Sequence, residues 1–146
     1  MAITQALANS FKKELLEADH NFKQTGGDKF KIALYTSSAT LNSATTSYTT
    51  GQEVGASGQY AAGGGKLVNS GTSMTAGVAR VDWADRSWTG VTLTARGALI
   101  YNTSSTTTNS AVCILDFGGD KTATSGTFTV QFPAATSTAA ILRVSG

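Results

Sequence analysis

The side chain with the most obvious capacity for chemistry is His20, the one histidine of the chain, with Glu17 and Asp19 close to it in sequence. A general base needs a carboxylate that orients the ring and a reacting group within hydrogen-bond reach. Neighbouring residues of a helix do not face each other, so these carboxylates are poorly placed to act on the ring. The sequence therefore favours a structural role for His20, as a polar residue near the C-terminal end of a helix, where a cation is stabilised.

Cys113 is the only cysteine, so the chain forms no internal disulfide and no cluster of thiolate ligands. It lies within the apolar run Val112-Cys-Ile-Leu. A reactive thiol needs an accessible and electropositive environment. The sequence predicts instead that Cys113 is a small, buried core residue.

Two short motifs resemble nucleotide-binding signatures but lack parts that the chemistry needs. In Gly63-Gly-Gly-Lys, Tyr60 stands where a phosphate-binding loop has its first glycine, and Leu67 stands where it has Ser or Thr. Asp116-Phe-Gly occurs without the glycine loop, paired lysine and catalytic loop of a kinase. We expect the first motif to be a glycine turn before a strand, and the second to be a strand end running into a turn at 118–121.

A cation site is the remaining polar candidate, because Asp82, Asp85 and Asp116 could supply several carboxylate oxygens. The chain has no calcium-loop spacing, however, and we expect Arg80 with Asp82, and Arg96 nearby, to form ordinary surface or inter-subunit ion pairs. The sequence predicts no catalytic residue, no metal and no cofactor.

Large aromatic residues are candidates for contacts with other molecules, since Trp and Tyr are enriched at interfaces. We expect Trp83 in the core, whereas for Trp88 the core and an interface are equally open. The candidate interface residues are Phe11, Tyr48, Tyr60 and Trp88.

The elements that position these residues begin with an amphipathic helix, predicted within residues 1–26. Its apolar residues recur at spacings of four and three, which places them on one face: Leu7, Phe11, Leu15, Ala18 and Phe22. Thr4 is the expected N-cap, and Gly26 with Gly27 is the expected stop. A single amphipathic helix must cover something, and here we expect a sheet.

The rest of the chain alternates strand-like runs with turn residues. Phe30–Tyr35 is the first predicted strand, and the polar tract 36–65 is predicted to be an extended arm or loop that packs on a neighbour. Further strands are predicted at 66–69, 78–83, 88–94, 95–101, 111–117, 127–132 and 139–144. Short strands at this spacing indicate a single domain, residues 1–146, of mainly β class: an antiparallel β-sandwich or jelly-roll-like domain with one N-terminal helix.

Composition narrows the classes of partner. The chain has 11 Lys and Arg against 9 Asp and Glu, a net charge of +2 without a strong basic cluster, so we expect no nucleic-acid partner. No run approaches the roughly 20 apolar residues of a membrane span, so we expect no membrane partner. The first residues lack the basic and apolar regions of a signal peptide, and we expect synthesis without secretion.

Several longer segments together resemble a known protein family. In chain order they are Asn9-Ser-Phe-Lys-Lys-Glu-Leu-Leu, Asp28-Lys-Phe-Lys-Ile-Ala-Leu-Tyr-Thr-Ser-Ser-Ala-Thr-Leu, Glu53-Val, Tyr60 with Gly63-Gly, Ala84-Asp with Trp88, Ala95-Arg-Gly-Ala-Leu-Ile-Tyr-Asn, Leu115-Asp-Phe-Gly and Gly126-Thr-Phe-Thr-Val-Gln-Phe-Pro. Over nearly the whole chain this pattern resembles a family of small virion structural proteins of tailed bacteriophages. The resemblance implies a virion component without enzyme activity or cofactor, and it does not give the location within the virion.

The leading expectation is a capsid decoration or cement protein, made in the host cytoplasm, that binds the assembled head as a homo-oligomer and contacts the major capsid protein. One alternative is a tail, collar or baseplate component of the same virion. Another is a receptor- or glycan-binding module that uses Trp88, Tyr48 and Tyr60 as a stacking platform. A hydrolase with an unrecognised site is the least favoured alternative, because no motif points to one.

Overall fold

The computed structural model describes residues 2–133 and 141–144. Its helix and strands are, in chain order, β1 (Ala6–Leu7), α1 (Asn9–Leu16), β2 (Phe30–Tyr35), β3 (Gly65–Lys66), β4 (Asn69–Thr75), β5 (Val78–Trp83), β6 (Arg86–Asn102), β7 (Ser110–Val130) and β8 (Leu142–Val144). The predicted strand 66–69 is therefore divided between β3 and β4. Of the predicted strand 139–144, residues 142–144 are a strand, and residues 139–140 lie outside the described residues.

The strands form two antiparallel sheets. The larger sheet has the order β1-β7-β6-β2-β3, and the smaller has the order β4-β5-β8. Strand residues make up 51% of the structure and helical residues 6%, which confirms the predicted mainly β class with antiparallel sheets and one short N-terminal helix, and is consistent with a β-sandwich.

The core lies along the middle of the larger sheet. Ile32 of β2 pairs with Ile100 of β6, and Leu99 pairs with Ile114 of β7. All four side chains are fully buried. These strands are apolar on both faces because both faces are covered, as the sequence runs at 95–101 and 111–117 predicted.

β6 and β7 correct four of the predicted strands and the turn predicted at 118–121. β6 runs without a break from 86 to 102, and β7 runs from 110 to 130 through residues 118–121, so each pair of short predicted strands is one long strand. Between the pairs Ala95–Lys121 and Gly97–Asp116, β6 advances by two residues and β7 by five. The extra residues of β7 form a bulge, where Gly118 has φ +79°. Because a bulge interrupts the alternation of side chains, its sequence resembles that of a turn.

The helix is shorter than predicted and begins later. It spans eight residues with Ala8 rather than Thr4 as N-cap, because the chain before it is engaged in sheet contacts: Ile3 bridges Leu41, and Ala6–Leu7 pairs with β7. It ends at Leu16, well before Gly26. Within residues 2–133 and 141–144, no helix has the length and apolar character needed to cross a membrane.

The segment 36–65 is not an extended arm in this structure. It folds back on the larger sheet and buries its apolar side chains Ala39, Leu41, Val54 and Tyr60. The Val54 amide donates to the carbonyl of Leu34 in β2 at 2.9 Å. The isolated apolar residues of this tract are core residues separated by polar surface positions, so the segment is part of the chain's own packing.

Candidate functional site

His20 lies in a polar cluster that joins the N-terminal region to the end of β6. Its Nε2 is 2.9 Å from Oε1 of Glu14, and its Nδ1 is 2.9 Å from Nδ2 of Asn102. The same Asn102 nitrogen donates to Oδ2 of Asp28 at 2.7 Å, while Oδ1 of Asn102 accepts the Ser104 amide at 2.8 Å. These contacts fix the orientation of the Asn102 amide.

The hydrogen bonds also fix the tautomer of His20. Because Nδ2 of Asn102 can only donate, Nδ1 of His20 accepts, and Nε2–H therefore donates to Glu14. Both ring nitrogens are thus occupied, and the ring is buried between Phe11 and Phe22. The arrangement orients a histidine but presents neither nitrogen to a reactant. His20 is consequently a buried structural residue, and the expectation of a polar residue at a helix end was wrong because the helix ends before it.

Replacing Asn102 by alanine is expected to lower the free energy of unfolding by about 2–3 kcal/mol. The substitution removes two donated hydrogen bonds and one accepted bond, and it leaves the buried His20 and the partly buried Asp28 without this partner. Chemical denaturation measures the change. Thr108→Ala, in the exposed part of the adjacent loop, is the matched control. If the Asn102→Ala protein were as stable as this control, the hydrogen bonds of Asn102 would contribute nothing to the free energy of unfolding.

A second cluster assembles around Glu53, within the 36–65 segment. Its Oε1 accepts the hydroxyl of Tyr48, and its Oε2 accepts the Tyr60 hydroxyl and the Gly63 amide, both at 2.8 Å. The Tyr60 oxygen in turn accepts the amide of Leu34 in β2 at 2.8 Å. A carboxylate, two phenols and two amides thereby attach the segment to the sheet.

Replacing Glu53 by alanine is expected to lower the free energy of unfolding by about 3 kcal/mol. Three donors lose their acceptor at once, and each unsatisfied donor in a partly buried site costs roughly 1 kcal/mol or more. Glu53→Gln, which keeps one acceptor oxygen, should lose less. Thermal or chemical denaturation of the two variants makes the comparison. If both variants were as stable as the parent protein, the three hydrogen bonds to Glu53 would not contribute to stability, and the prediction would be wrong.

All four tyrosines of the chain have a raised pKa. Burial and then the charge of Glu53 raise the pKa of Tyr101 from 10.0 to about 12. Burial is also the largest cause that raises the pKa of Tyr35, Tyr48 and Tyr60. Each folded phenol is therefore more strongly protonated than its unfolded counterpart.

Because the phenol pKa values are raised in the folded protein, we expect the free energy of unfolding to fall at alkaline pH. The folded pKa lies above the unfolded value, so the contribution is complete below pH 10 and is lost as the pH rises through the folded values, from about 12 for Tyr101 upward. Titration of phenolate absorbance should show no ionisation near pH 10 in the native protein. A step centred near pH 10 without loss of near-ultraviolet circular dichroism would contradict this prediction.

Three of the four candidate interface residues are buried, which corrects the assignment of Trp88 and Tyr60, whereas Phe11, although buried, lines the groove between α1 and the smaller sheet. Phe11 is 2% exposed, Tyr60 is 1% exposed and Trp88 is fully buried, while Tyr48 is half-buried. Trp88 packs against Tyr60 with a ring separation of 5.4 Å. Trp88 and Tyr60 therefore offer no exposed stacking platform for a glycan. Trp83 is 2% exposed, as expected for a core residue.

The candidate residues Cys113, Asp116 and Asp85 are buried in the core or bonded to other residues of the chain. Burial raises the pKa of the Cys113 thiol to about 12, and the predicted core position of this residue is confirmed. Asp116 pairs with Arg96 at 3.2 Å across the two long strands, and Asp85 accepts the Phe132 amide at 2.8 Å. Across residues 2–133 and 141–144, no group of three or more His, Cys, Asp or Glu residues could hold a metal ion.

An accessible apolar groove lies between α1 and the smaller sheet. It encloses about 470 Å³. The lining residues come from the helix region and from the smaller sheet: Leu7, Phe11, Lys12, Leu15, Leu16, Phe22, Thr72, Ala79, Arg80, Val81, Leu142, Arg143 and Val144. Of these residues, sequence periodicity placed Leu7, Phe11, Leu15 and Phe22 on one apolar face, but it did not include Leu16 and gave no sign that this face would be only partly covered.

Comparison of the chain with family models, with curated proteins and with solved structures found no significant match.

Proposed function

We propose that this chain is a non-enzymatic structural protein of a bacteriophage virion, and specifically a capsid decoration or cement protein that binds the assembled head as a homo-oligomer. The observation that carries the proposal is the apolar groove, which is only partly covered. The polar side chains of the His20 and Glu53 clusters, in contrast, form hydrogen bonds within their own clusters. The groove offers a contact surface, whereas the His20 and Glu53 clusters serve the chain's own packing.

The architecture supports a role in which shape matters more than chemistry. Two long strands and a covered central sheet give a rigid body, and the 36–65 segment is attached to it through Glu53. A subunit present in many symmetric copies can act through modest individual contacts, because avidity multiplies them. Binding to the assembled lattice alone would stabilise that lattice by mass action.

The proposal is tested by the position and copy number of the protein in purified virions. Cryo-electron microscopy should show density repeated over the head lattice, and quantitative mass spectrometry should give a copy number comparable to that of the major capsid protein. Density confined to the neck, tail or baseplate would establish the alternative virion role. Absence of the protein from purified particles would overturn both.

Particles from a phage that lacks the gene provide the matched functional control. They should release their genome at a lower temperature than complete particles, and purified protein added back should restore the difference. If particles with the protein on their heads release their genome at the same temperature as particles without it, the protein decorates the head but does not stabilise it, and the cement role is wrong.

A further inference from the structure

The long strand β7 is paired along only part of its outer edge. On its inner side, β6 pairs with it along nearly its whole length. On its outer side, β1 pairs with Cys113 and Ile114 alone. Within the described part of the chain, residues 117–130 therefore have no strand beside them on the outer side. Such an edge presents unpaired N–H and C=O groups that can pair with another strand.

Two hydrogen bonds show which backbone groups of β7 face this free edge. The Phe132 amide donates to Oδ1 of Asp85, on the side of β6, at 2.8 Å. The hydroxyls of Ser87 and Thr129 lie 2.8 Å apart, as expected where two opposed residues are close together and do not exchange backbone hydrogen bonds. Because the backbone groups of successive residues point alternately to the two sides of a strand, those of Thr129 and Gln131 point away from β6.

An open groove of about 370 Å³ runs beside the same edge. Its lining includes the five consecutive residues 127–131, together with Phe117 and Lys121. The side chains of successive strand residues point to opposite faces of a sheet. A groove that touches all five residues therefore lies along the backbone edge and not on one face. The edge is accessible, and an extended segment has the shape that fits it.

The sequence of this edge lacks the features that usually prevent pairing with another chain. Residues 122–131 contain no charged residue and no proline, and residues 127–132 alternate polar with large apolar side chains. Edge strands are commonly protected by charges, by proline or by short length. Here Lys121 and Pro133 stand at the two ends of the stretch, and the residues between them are unprotected.

A second copy of this chain complements the edge through a two-fold axis. Antiparallel pairing of residues 127–131 with their own duplicate places Thr129 opposite Thr129 and Thr127 opposite Gln131. The outward backbone groups of Thr129 then meet those of their duplicate, and opposed threonines stabilise a sheet. The two Lys121 side chains lie at opposite ends of the paired stretch, so no like charges meet. The pairing occupies the edge of both copies and closes the assembly at two.

We propose that two copies of this chain join through the free edge of β7, at residues 127–131, and form one continuous antiparallel sheet across a two-fold axis. This contact deepens the homo-oligomer of the proposed function by naming the surface through which the copies meet. It is argued from β7 alone, so it does not require a role in a virion.

Charges placed at the two-fold axis test this contact. Thr129 is exposed, and either Thr129→Lys or Thr129→Glu places like charges directly opposite each other in the dimer. Analytical ultracentrifugation of the purified full chain should give a mass of twice the 15.0 kDa of one chain for the parent protein, and the mass of one chain for each variant. An equimolar mixture of the two variants should regain the double mass, because lysine then faces glutamate.

Ser73→Lys is the matched control, because Ser73 is an exposed polar residue of β4, an edge strand of the smaller sheet. This variant should keep the double mass, and circular dichroism checks that all variants are folded. A monomeric or trimeric parent protein, a dimer that persists in both Thr129 variants, or a mixture of these variants that stays monomeric would overturn the contact. Loss of the dimer in Ser73→Lys would also overturn it, since the smaller sheet would then be involved.

The outcomes separate this proposal from the proposed function. A dimer that Thr129→Lys and Thr129→Glu abolish and their mixture restores would support the β7 contact even if purified virions lack the protein, and that absence would overturn the virion role. A protein that is monomeric in solution but arrayed on virion heads would overturn the β7 contact and support the location on the head.

Discussion

Replacing Trp88 by alanine is expected to reduce the free energy of unfolding by about 3–5 kcal/mol, which is typical of removing a large buried aromatic side chain. Trp88 is fully buried, and its ring packs against Tyr60 at 5.4 Å and Phe128 at 6.5 Å. The guanidinium of Arg86 lies 5.2 Å from the ring centroid. Denaturant unfolding of the isolated protein measures the loss without any partner present.

The Trp88 result also decides between the two positions that the sequence left open. Trp88→Phe should lose clearly less stability, because it keeps an aromatic ring in the same site. The exposed neighbour Thr89→Ala should be close to neutral. A Trp88→Ala protein that unfolds like the parent but fails to assemble would show that this side chain serves an interface instead of the core.

Replacing Gly64 by alanine is expected to destabilise the protein by more than about 4 kcal/mol, a loss that most small domains do not survive. A Cβ atom at this position would lie 1.8 Å from the carbonyl oxygen of Ile32 and 2.8 Å from the Cα of Ala33. Both atoms belong to the backbone of β2, which pairs with β6 on one side and β3 on the other and cannot shift without breaking this pairing. The residue also has φ +81°, which only glycine adopts readily.

Gly55→Ala is the matched control for this substitution, because a Cβ there meets no atom within 4 Å. Soluble yield and the denaturation midpoint of the two variants provide the measurement. We expect Gly55→Ala to behave as the parent and Gly64→Ala to be recovered poorly or unfolded. Comparable stability of the two variants would mean that the 36–65 segment does not approach β2 as closely as described.

The segment 36–65 illustrates why part of the core was not predictable. Its composition is that of a loop, and isolated residues such as Val54 and Tyr60 follow neither a helical nor a strand period. They are buried because the segment crosses the sheet as irregular backbone, held by single bridges and by Glu53. Such packing depends on contacts between residues far apart in sequence, which local patterns do not report.

The His20 cluster shows the same limitation for polar groups. Asn102 is 82 residues away from His20 along the chain, and Glu14 is six residues before it. No helical or strand spacing relates these positions, so the sequence could identify the histidine but not its partners. In contrast, the burial of Cys113 followed directly from the apolar run in which it lies.

By itself, the sequence determined the mainly β class, the N-terminal helix, the central strands such as Phe30–Tyr35, and the buried thiol. These depend on alternation, apolar runs and turn residues, all of which act over a few neighbouring positions. Only the tertiary structure decided the joining of short strands into β6 and β7, the inward packing of Trp88, and the exposure of Leu16 and Val144 beside the groove. Those features depend on which distant segments meet, because burial is a property of the assembled surfaces rather than of a residue's own neighbours.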